Sequence, residues 1–195
     1  MLQQSAQSSA EPRPRPIQFR PLAALQRAYA TNRTLTLLGV LMLVALAASI
    51  LGLLFDPRTI TGVPAWLKPF KFAVSISLYA FTLIWILSFV QGRRFWLRLV
   101  SGATLVILLG EMVLVITQVL RGTTSHFNRA TPFDTAMFSA MGMMISALWV
   151  IQLIAALLLI FQRLPDRAFA WALRPGLLLA LVGAALGVLM TTPRA

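Results

Sequence analysis

The chain has 195 residues, of which 58% are hydrophobic and 11% are charged, and its formal net charge is +12. Soluble domains carry about 25% charged residues, so this composition excludes an ordinary soluble protein and indicates that the lipid bilayer is the solvent. Because the chain has no Cys and one His, it also excludes disulfides, thiolate metal sites and any site that needs two imidazoles from one chain.

Residues 1–33 form a polar, basic tail that is rich in Gln, Ser, Ala, Pro and Arg. The run Arg13-Pro14-Arg15-Pro16 favours extended geometry, because proline fixes φ and disfavours helix before it. We expect this tail to be disordered or to lie on the membrane surface, on the cytoplasmic side. A mitochondrial-type presequence is the alternative, since it is also rich in Arg and Ser and poor in acid.

Five apolar segments follow the tail and form a transmembrane domain, residues 34–195. Each is near or above the roughly 20 residues that cross a bilayer core as a helix. The sequence therefore predicts an all-α polytopic transmembrane helical bundle with five spanning helices, at about 35–55, 70–90, 98–120, 133–161 and 171–190.

Basic residues between the segments predict the orientation. If the N-terminus is cytoplasmic, the inner side holds eleven Lys and Arg residues and the outer side holds six. The positive-inside rule then favours a cytoplasmic N-terminus and an external C-terminus. The six on the outer side are Arg58, Lys68, Lys71, Arg121, Arg129 and Arg194.

Small residues recur at four-residue spacing on two of the segments. In lipid, such residues allow helix backbones to approach closely. Packing inside one bundle is the simpler interpretation, and assembly into a homo-oligomer or with a membrane partner is the alternative. The residues are Ala48 and Gly52 on the first segment, and Gly176, Ala180, Gly183, Ala184 and Gly187 on the fifth.

Glu111 lies in the middle of the third apolar segment. A carboxylate at that depth is costly, so such residues usually face a partner, a cavity or a pathway. Gln118 follows two helical turns later on the same face, and Arg121 lies about 15 Å from Glu111 along the helix axis. This polar stripe indicates a lining for an ion, a proton or a polar ligand. A protonated Glu111 that hydrogen-bonds a neighbouring helix explains the pattern equally well.

The loop after the third segment carries Ser125, His126 and Asn128, which is more polar chemistry than a short membrane loop requires. A lone His in a loop is more often a satisfied hydrogen-bonding group than a ligand or a base. Thr131 and Asp134 are explained by the start of the next helix, with Thr as N-cap, a proline in the first turn and an acid after it.

Lys68 and Lys71 lie at the start of the second segment. Their position opposes both the positive-inside rule and the helix macrodipole, which favours anions at an N-terminus. A nearby anion would offset both effects, whereas lysines that snorkel beside an interfacial Trp are the ordinary explanation. The candidate anions are a lipid headgroup, an anionic ligand, Asp56, Glu111 and Asp134.

The segments WLKPFKF (66–72), RGTTSHFN (121–128) and TPFD (131–134), together with Glu111, resemble a family of bacterial multi-pass membrane proteins to which no activity is assigned. The resemblance covers about residues 35–190. It implies a location in the bacterial inner (plasma) membrane. It also implies further helices with additional His residues beyond the fifth, so that the printed sequence would be part of a longer chain.

Three functional hypotheses follow, and we give them in decreasing order of preference. The first is an integral membrane protein that binds or moves a polar solute, an ion or a proton along the Glu111-centred stripe. The second is a non-catalytic membrane subunit or scaffold that assembles through its small-residue faces. The third is a membrane enzyme, with His126 as general base and Lys68 and Lys71 as a clamp for an anionic substrate. We favour a non-enzymatic protein without cofactor, metal ion or nucleic acid, whose partners are the lipid bilayer and its anionic lipids.

Overall fold

The structure, a computed structural model, describes residues 21–162, 164 and 166–189, with side chains of the last helix described to residue 187. One antiparallel hairpin, β1 (Thr59–Ile60) with β2 (Val63–Pro64), lies in this part. Its helices are α1 (Pro21–Thr31), α2 (Arg33–Phe55), α3 (Leu67–Leu87), α4 (Arg94–Leu120), α5 (Pro132–Ile160) and α6 (Arg167–Leu189). Because α2 to α6 are each long and apolar enough to cross a membrane, the predicted all-α bundle with five spanning helices is confirmed.

The bounds of the five long helices differ from the expected bounds by at most four residues. The predicted tail differs more. Residues 1–20 lie outside the described residues, and Pro21–Thr31 forms helix α1 rather than a disordered segment. Pro21 occupies the first helical position, which proline favours, and the residues after it are mostly good helix formers. Asn32 then separates α1 from α2, because it has extended geometry and accepts a hydrogen bond from the Leu35 amide as the N-cap of α2.

The helices α2 and α3 form the most closely packed pair, joined by the hairpin. Thr61 and Gly62 have positive φ in its turn, which suits a two-residue connection. Gly52 lies against the indole of Trp66, so closely that a Cβ would come within 2.3 Å of ring atoms. The small residue at this position therefore serves packing inside one chain.

The core between the helices consists of fully buried apolar side chains from α2 to α5, such as Leu35, Ala80, Met112 and Leu159. Helix α6 is different, since only 6% of its most apolar stretch is buried. Its contact with α5 includes a hydrogen bond from the Trp149 indole N–H to a backbone carbonyl of α6 at 3.0 Å. At three glycines of α6, an added Cβ would meet no described atom within 4 Å, namely Gly176, Gly183 and Gly187.

The bundle has two chemically different ends. The starts of α2 and α4 meet the ends of α3 and α5 at one of them, which we call the arginine end because Arg33, Arg94 and Arg98 lie there. The starts of α3 and α5 meet the ends of α2 and α4 at the other, which we call the histidine end because it holds the loop with His126. Alternating chain direction places the polar loop residues and Lys68 at the same end.

Candidate functional site

Glu111 lies on the buried face of α4 and is 4% exposed. The same face carries buried Ser101, Thr104 and Gln118, at spacings of three and seven residues that keep side chains on one side of a helix. Within the described residues, the Oε1 atom of Glu111 has no hydrogen-bond partner. Because buried polar atoms nearly always have a partner, this oxygen marks a place where a further group could bind.

A cavity of about 360 Å³ opens beside Glu111, between α3, α4, α5 and α6. Both Glu111 and His126 line it, which brings together two residues that lie 15 positions apart in the sequence. Most of its remaining surface is apolar, including Phe72 and Phe138. The arrangement is a small apolar chamber with a carboxylate and an imidazole in its wall, which is the usual composition of a ligand site.

His126 is held by polar and aromatic neighbours. The Lys68 ammonium donates a hydrogen bond to His126 Nδ1 at 2.9 Å, and the Ser125 hydroxyl lies 3.2 Å from the same atom. Burial, and then the positive charge of Lys68, lower the pKa of His126 to about 4. The imidazole is therefore neutral near pH 7, with Nδ1 as acceptor and the proton on Nε2.

Lys68 contacts the histidine loop and lies near Glu111. It is half-buried at the start of α3, and its positive charge is close enough to attract the Glu111 carboxylate, although no ion pair within 4 Å joins the two side chains. A cation and an anion at membrane depth stabilise each other, which explains why a lysine lies at this helix start. Among the anions that the sequence analysis considered as partners for Lys68, Glu111 is the one that lies close enough to interact with it electrostatically.

Gln118 and Arg121 belong to a separate cluster. Arg121 donates to Asp134 at 2.7 Å and to Gln118 at 2.8 Å, and the Gln118 amide donates to Asp134 at 2.9 Å. Thr131 donates to the other carboxylate oxygen of Asp134 at 2.7 Å and caps α5 by accepting from its backbone amide. The predicted helix start is therefore observed, but Asp134 also fastens α4 to α5, which the sequence did not reveal.

The other predicted site residues lie apart from Glu111. Asn128 shapes its own loop, since its amide donates to the Thr123 hydroxyl and the Thr124 carbonyl and its side-chain oxygen accepts from the Ala130 amide. Lys71 is exposed and does not line the cavity. The structure thus assembles Glu111, Lys68, Ser125 and His126 and separates the remaining four candidates.

No group of three or more His, Cys, Asp or Glu side chains that could hold a metal ion is present in the part of the chain that the structure describes. Asp56, at the same end of the bundle, is occupied by Arg58 and by the Trp66 indole at 2.8 Å. These contacts hold the pKa of Asp56 well below its usual range. Comparisons with protein families, with curated proteins and with solved structures return no match for this chain.

Proposed function

We propose that the protein binds or moves a small polar solute, an ion or a proton through the cavity beside Glu111. The observation that carries this proposal is the buried Glu111 carboxyl group, which has an oxygen without a hydrogen-bond donor among the described residues and belongs to a residue that lines an open cavity. A buried acceptor without a partner costs roughly 1–3 kcal/mol, so a ligand that donates a hydrogen bond there recovers that free energy.

The neighbours of Glu111 limit what the ligand can be. A cavity of about 360 Å³ admits a small molecule or an ion with a few waters. Its apolar wall favours a ligand that presents one or two polar groups, which Glu111 and His126 can meet. A proton is the smallest such ligand, since it would move between Glu111 and water that enters the cavity.

The proposal includes an orientation. The excess of basic residues on the N-terminal side supports a cytoplasmic N-terminus, with the histidine end on the opposite face of the membrane. In the bacterial inner membrane that the sequence resemblance implies, the cavity would then open towards the periplasm. The proposed lining differs from the stripe that the sequence indicated, because the cavity beside Glu111 includes His126, whereas Gln118 and Arg121 are bound to Asp134.

Proton movement is tested in proteoliposomes that contain a pH-sensitive dye, with a K⁺ gradient and valinomycin to set the membrane potential. We expect the protein to change the internal pH faster than empty liposomes do. Glu111→Gln removes the titrating group at nearly constant shape and should reduce the rate to that of empty liposomes. Lys71→Gln, which removes an exposed charge at the same end, should leave the rate unchanged.

A steric variant tests the cavity independently of charge. Gly142 lines the cavity, and an added Cβ there meets no described atom within 4 Å. Gly142→Leu should therefore fill the space and stop the movement, whereas Gly142→Ala should have a small effect. Binding without movement is tested by native mass spectrometry from mild detergent, in which a small molecule retained by the protein and lost in Glu111→Gln supports the proposal. If neither proton movement nor a retained polar molecule is found, the proposal is wrong.

A scaffold role is the second candidate, and the exposure of α6 favours it. The glycines of this helix face open space in the described part of the chain, so a neighbouring helix could approach its backbone closely. Crosslinking of single Cys residues placed at Gly176 and Gly183 would detect a second copy or a partner at this face. The scaffold role also predicts that Glu111→Gln leaves assembly intact.

A further inference from the structure

A second polar cavity lies at the arginine end, far from Glu111. Its volume is about 410 Å³, and it is formed where the starts of α2 and α4 meet the end of α3. Three arginines line it, Arg33 from α2 and Arg94 and Arg98 from α4. Because these residues come from two helices and surround one space, the basic charge forms a concave site rather than a solvated helix face.

The cavity offers hydrogen-bond donors in addition to positive charge. The first amides of a helix have no partner within that helix, and both α2 and α4 start here. At α4 the N-cap Arg93 provides no side-chain cap for these amides, whereas at α2 Asn32 accepts from the Leu35 amide. Asn32 and Ser101, hydrogen-bonded to each other at 2.6 Å, complete the polar wall. Guanidinium groups and helix-start amides together are the usual partners of phosphate oxygens.

The three arginines lack a carboxylate partner within the described ranges, where both ion pairs, Arg58–Asp56 and Arg121–Asp134, lie at the histidine end. Arg33 contacts an aromatic ring instead, with its guanidinium 5.3 Å from the centre of Tyr29. The charge of the cavity is therefore available to an external anion.

A neighbouring apolar cavity favours a lipid as the source of that anion. Tyr29, the aromatic partner of Arg33, lines a groove of about 410 Å³ between α1 and α2. The groove is also lined by Leu25, Leu37 and Val40, so its surface is almost entirely apolar. A phosphate next to an apolar groove at a membrane boundary matches the headgroup and the first part of an acyl chain of a phospholipid.

We propose that the cavity lined by Arg33, Arg94 and Arg98 is a binding site for the phosphate of one anionic phospholipid, with an acyl chain in the adjacent groove between α1 and α2. This site does not depend on the function proposed for Glu111, because the two cavities lie at opposite ends of the bundle. The ligand chemistry is a phosphate ester, and free phosphate compounds share it.

The test uses the full chain, freed of lipid in a neutral detergent, and native mass spectrometry to measure binding of the first phosphatidylglycerol molecule. The cavity variant carries Arg33→Gln, Arg94→Gln and Arg98→Gln. The matched control carries Arg27→Gln, Arg93→Gln and Arg167→Gln, which removes the same charge from the same end without touching the cavity. Phosphatidylcholine serves as the neutral lipid.

We expect the cavity variant to bind phosphatidylglycerol on the order of a hundredfold more weakly, at about fivefold for each arginine. The control should lose less than about threefold, since its arginines do not line the cavity and exposed charges are screened by salt. If both triple variants weaken binding equally, or if phosphatidylcholine binds as tightly as phosphatidylglycerol, the proposal is wrong. If the triple variant does not fold, Arg94→Gln alone replaces it, because Arg94 is exposed at a helix start. Its binding of phosphatidylglycerol is then compared with that of Arg93→Gln.

An excess of inorganic phosphate distinguishes the two sources of the anion. If it leaves the bound phosphatidylglycerol in place, the acyl chain in the groove contributes to binding, and the ligand is a lipid. If it displaces the lipid from the protein, the cavity recognises phosphate as such and also accepts soluble phosphate compounds. Both results are compatible with the three arginines as the anion site, because the comparison of the cavity variant with the control tests whether those arginines bind the anion.

Discussion

The Arg121 guanidinium lies 2.7 Å from the Asp134 carboxylate and connects the end of α4 to the start of α5. The two partners differ in environment, since the side chain of Asp134 is 4% exposed and that of Arg121 is 36% exposed. The buried acid is therefore the centre of the cluster, and the arginine is its outer member. Loss of the two residues should have unequal consequences.

We predict that Asp134→Ala lowers the free energy of unfolding by about 2–3 kcal/mol, because Gln118 and Thr131 lose their acceptor in a buried place. Arg121→Ala should cost about 1 kcal/mol, since a partly exposed pair is screened by water. Thermal unfolding in detergent measures both changes. The double variant should be no less stable than Asp134→Ala alone, and a fully additive result would contradict the cluster.

The pH dependence of stability should report on His126. Burial and the charge of Lys68 lower the pKa of His126 from 6.5 to about 4, so the folded state keeps this imidazole neutral where an unfolded chain would protonate it. The unfolded state then binds more protons, and stability should fall as the pH drops from 6.5 towards 4, by on the order of 2 kcal/mol. Melting temperatures measured between about pH 4 and 6.5 test the effect. The same measurement on His126→Asn should show a smaller change with pH, because this variant lacks the titrating imidazole.

The two lysines at the start of α3 form a natural pair of test and control. Lys68→Gln removes the cation beside His126, so the pKa of His126 should rise. It should stay below 6.5, because burial is the larger cause of the shift. Lys71→Gln should leave the titration unchanged, as Lys71 is exposed and does not line the His126 cavity. Because the chain has one His, an NMR titration of a ¹⁵N-histidine sample reads this directly.

Two glycine-to-alanine changes should have opposite signs. Gly52→Ala places a methyl group against the Trp66 indole, which cannot easily move because its N–H is bonded to Asp56 at 2.8 Å. We expect a loss of about 1–3 kcal/mol from overpacking. Gly102→Ala, in the middle of α4 with open space at the Cβ position, should stabilise the protein by up to about 1 kcal/mol. Thermal unfolding compares the two, and equal effects would contradict the close contact at Gly52.

The sequence predicts the long helices well because each is an uninterrupted apolar run of spanning length. It does not predict α1, whose mixed composition resembles that of the tail, or the six-residue hairpin at 59–64. Helices such as α2 and α5 are apolar around their whole circumference, so their sequences do not show which face is buried.

The sequence suggested candidate site residues but not which of them lie together. The rarity of Glu111 in an apolar helix and the density of polar groups near His126 singled out two residues that the structure places around one cavity. Which of these groups meet depends on helix rotation and on loop geometry, such as the positive φ of Phe127. For that reason the separation of Gln118 and Arg121 from Glu111, through Asp134, could not be read from spacing along α4.

Both partners of Lys68 lie later in the chain than Lys68 itself. Helix α3 leaves the ribosome before α4 supplies Glu111 and before the following loop supplies His126. The pair of helices α2 and α3 can pack as soon as it enters the membrane, but Lys68 gains the Glu111 carboxylate only when about 20 residues beyond the end of α3 have been made. The polar centre of this protein is therefore a product of late synthesis, and a ribosome that pauses within α4 would hold an ammonium group in the membrane without its counter-charge.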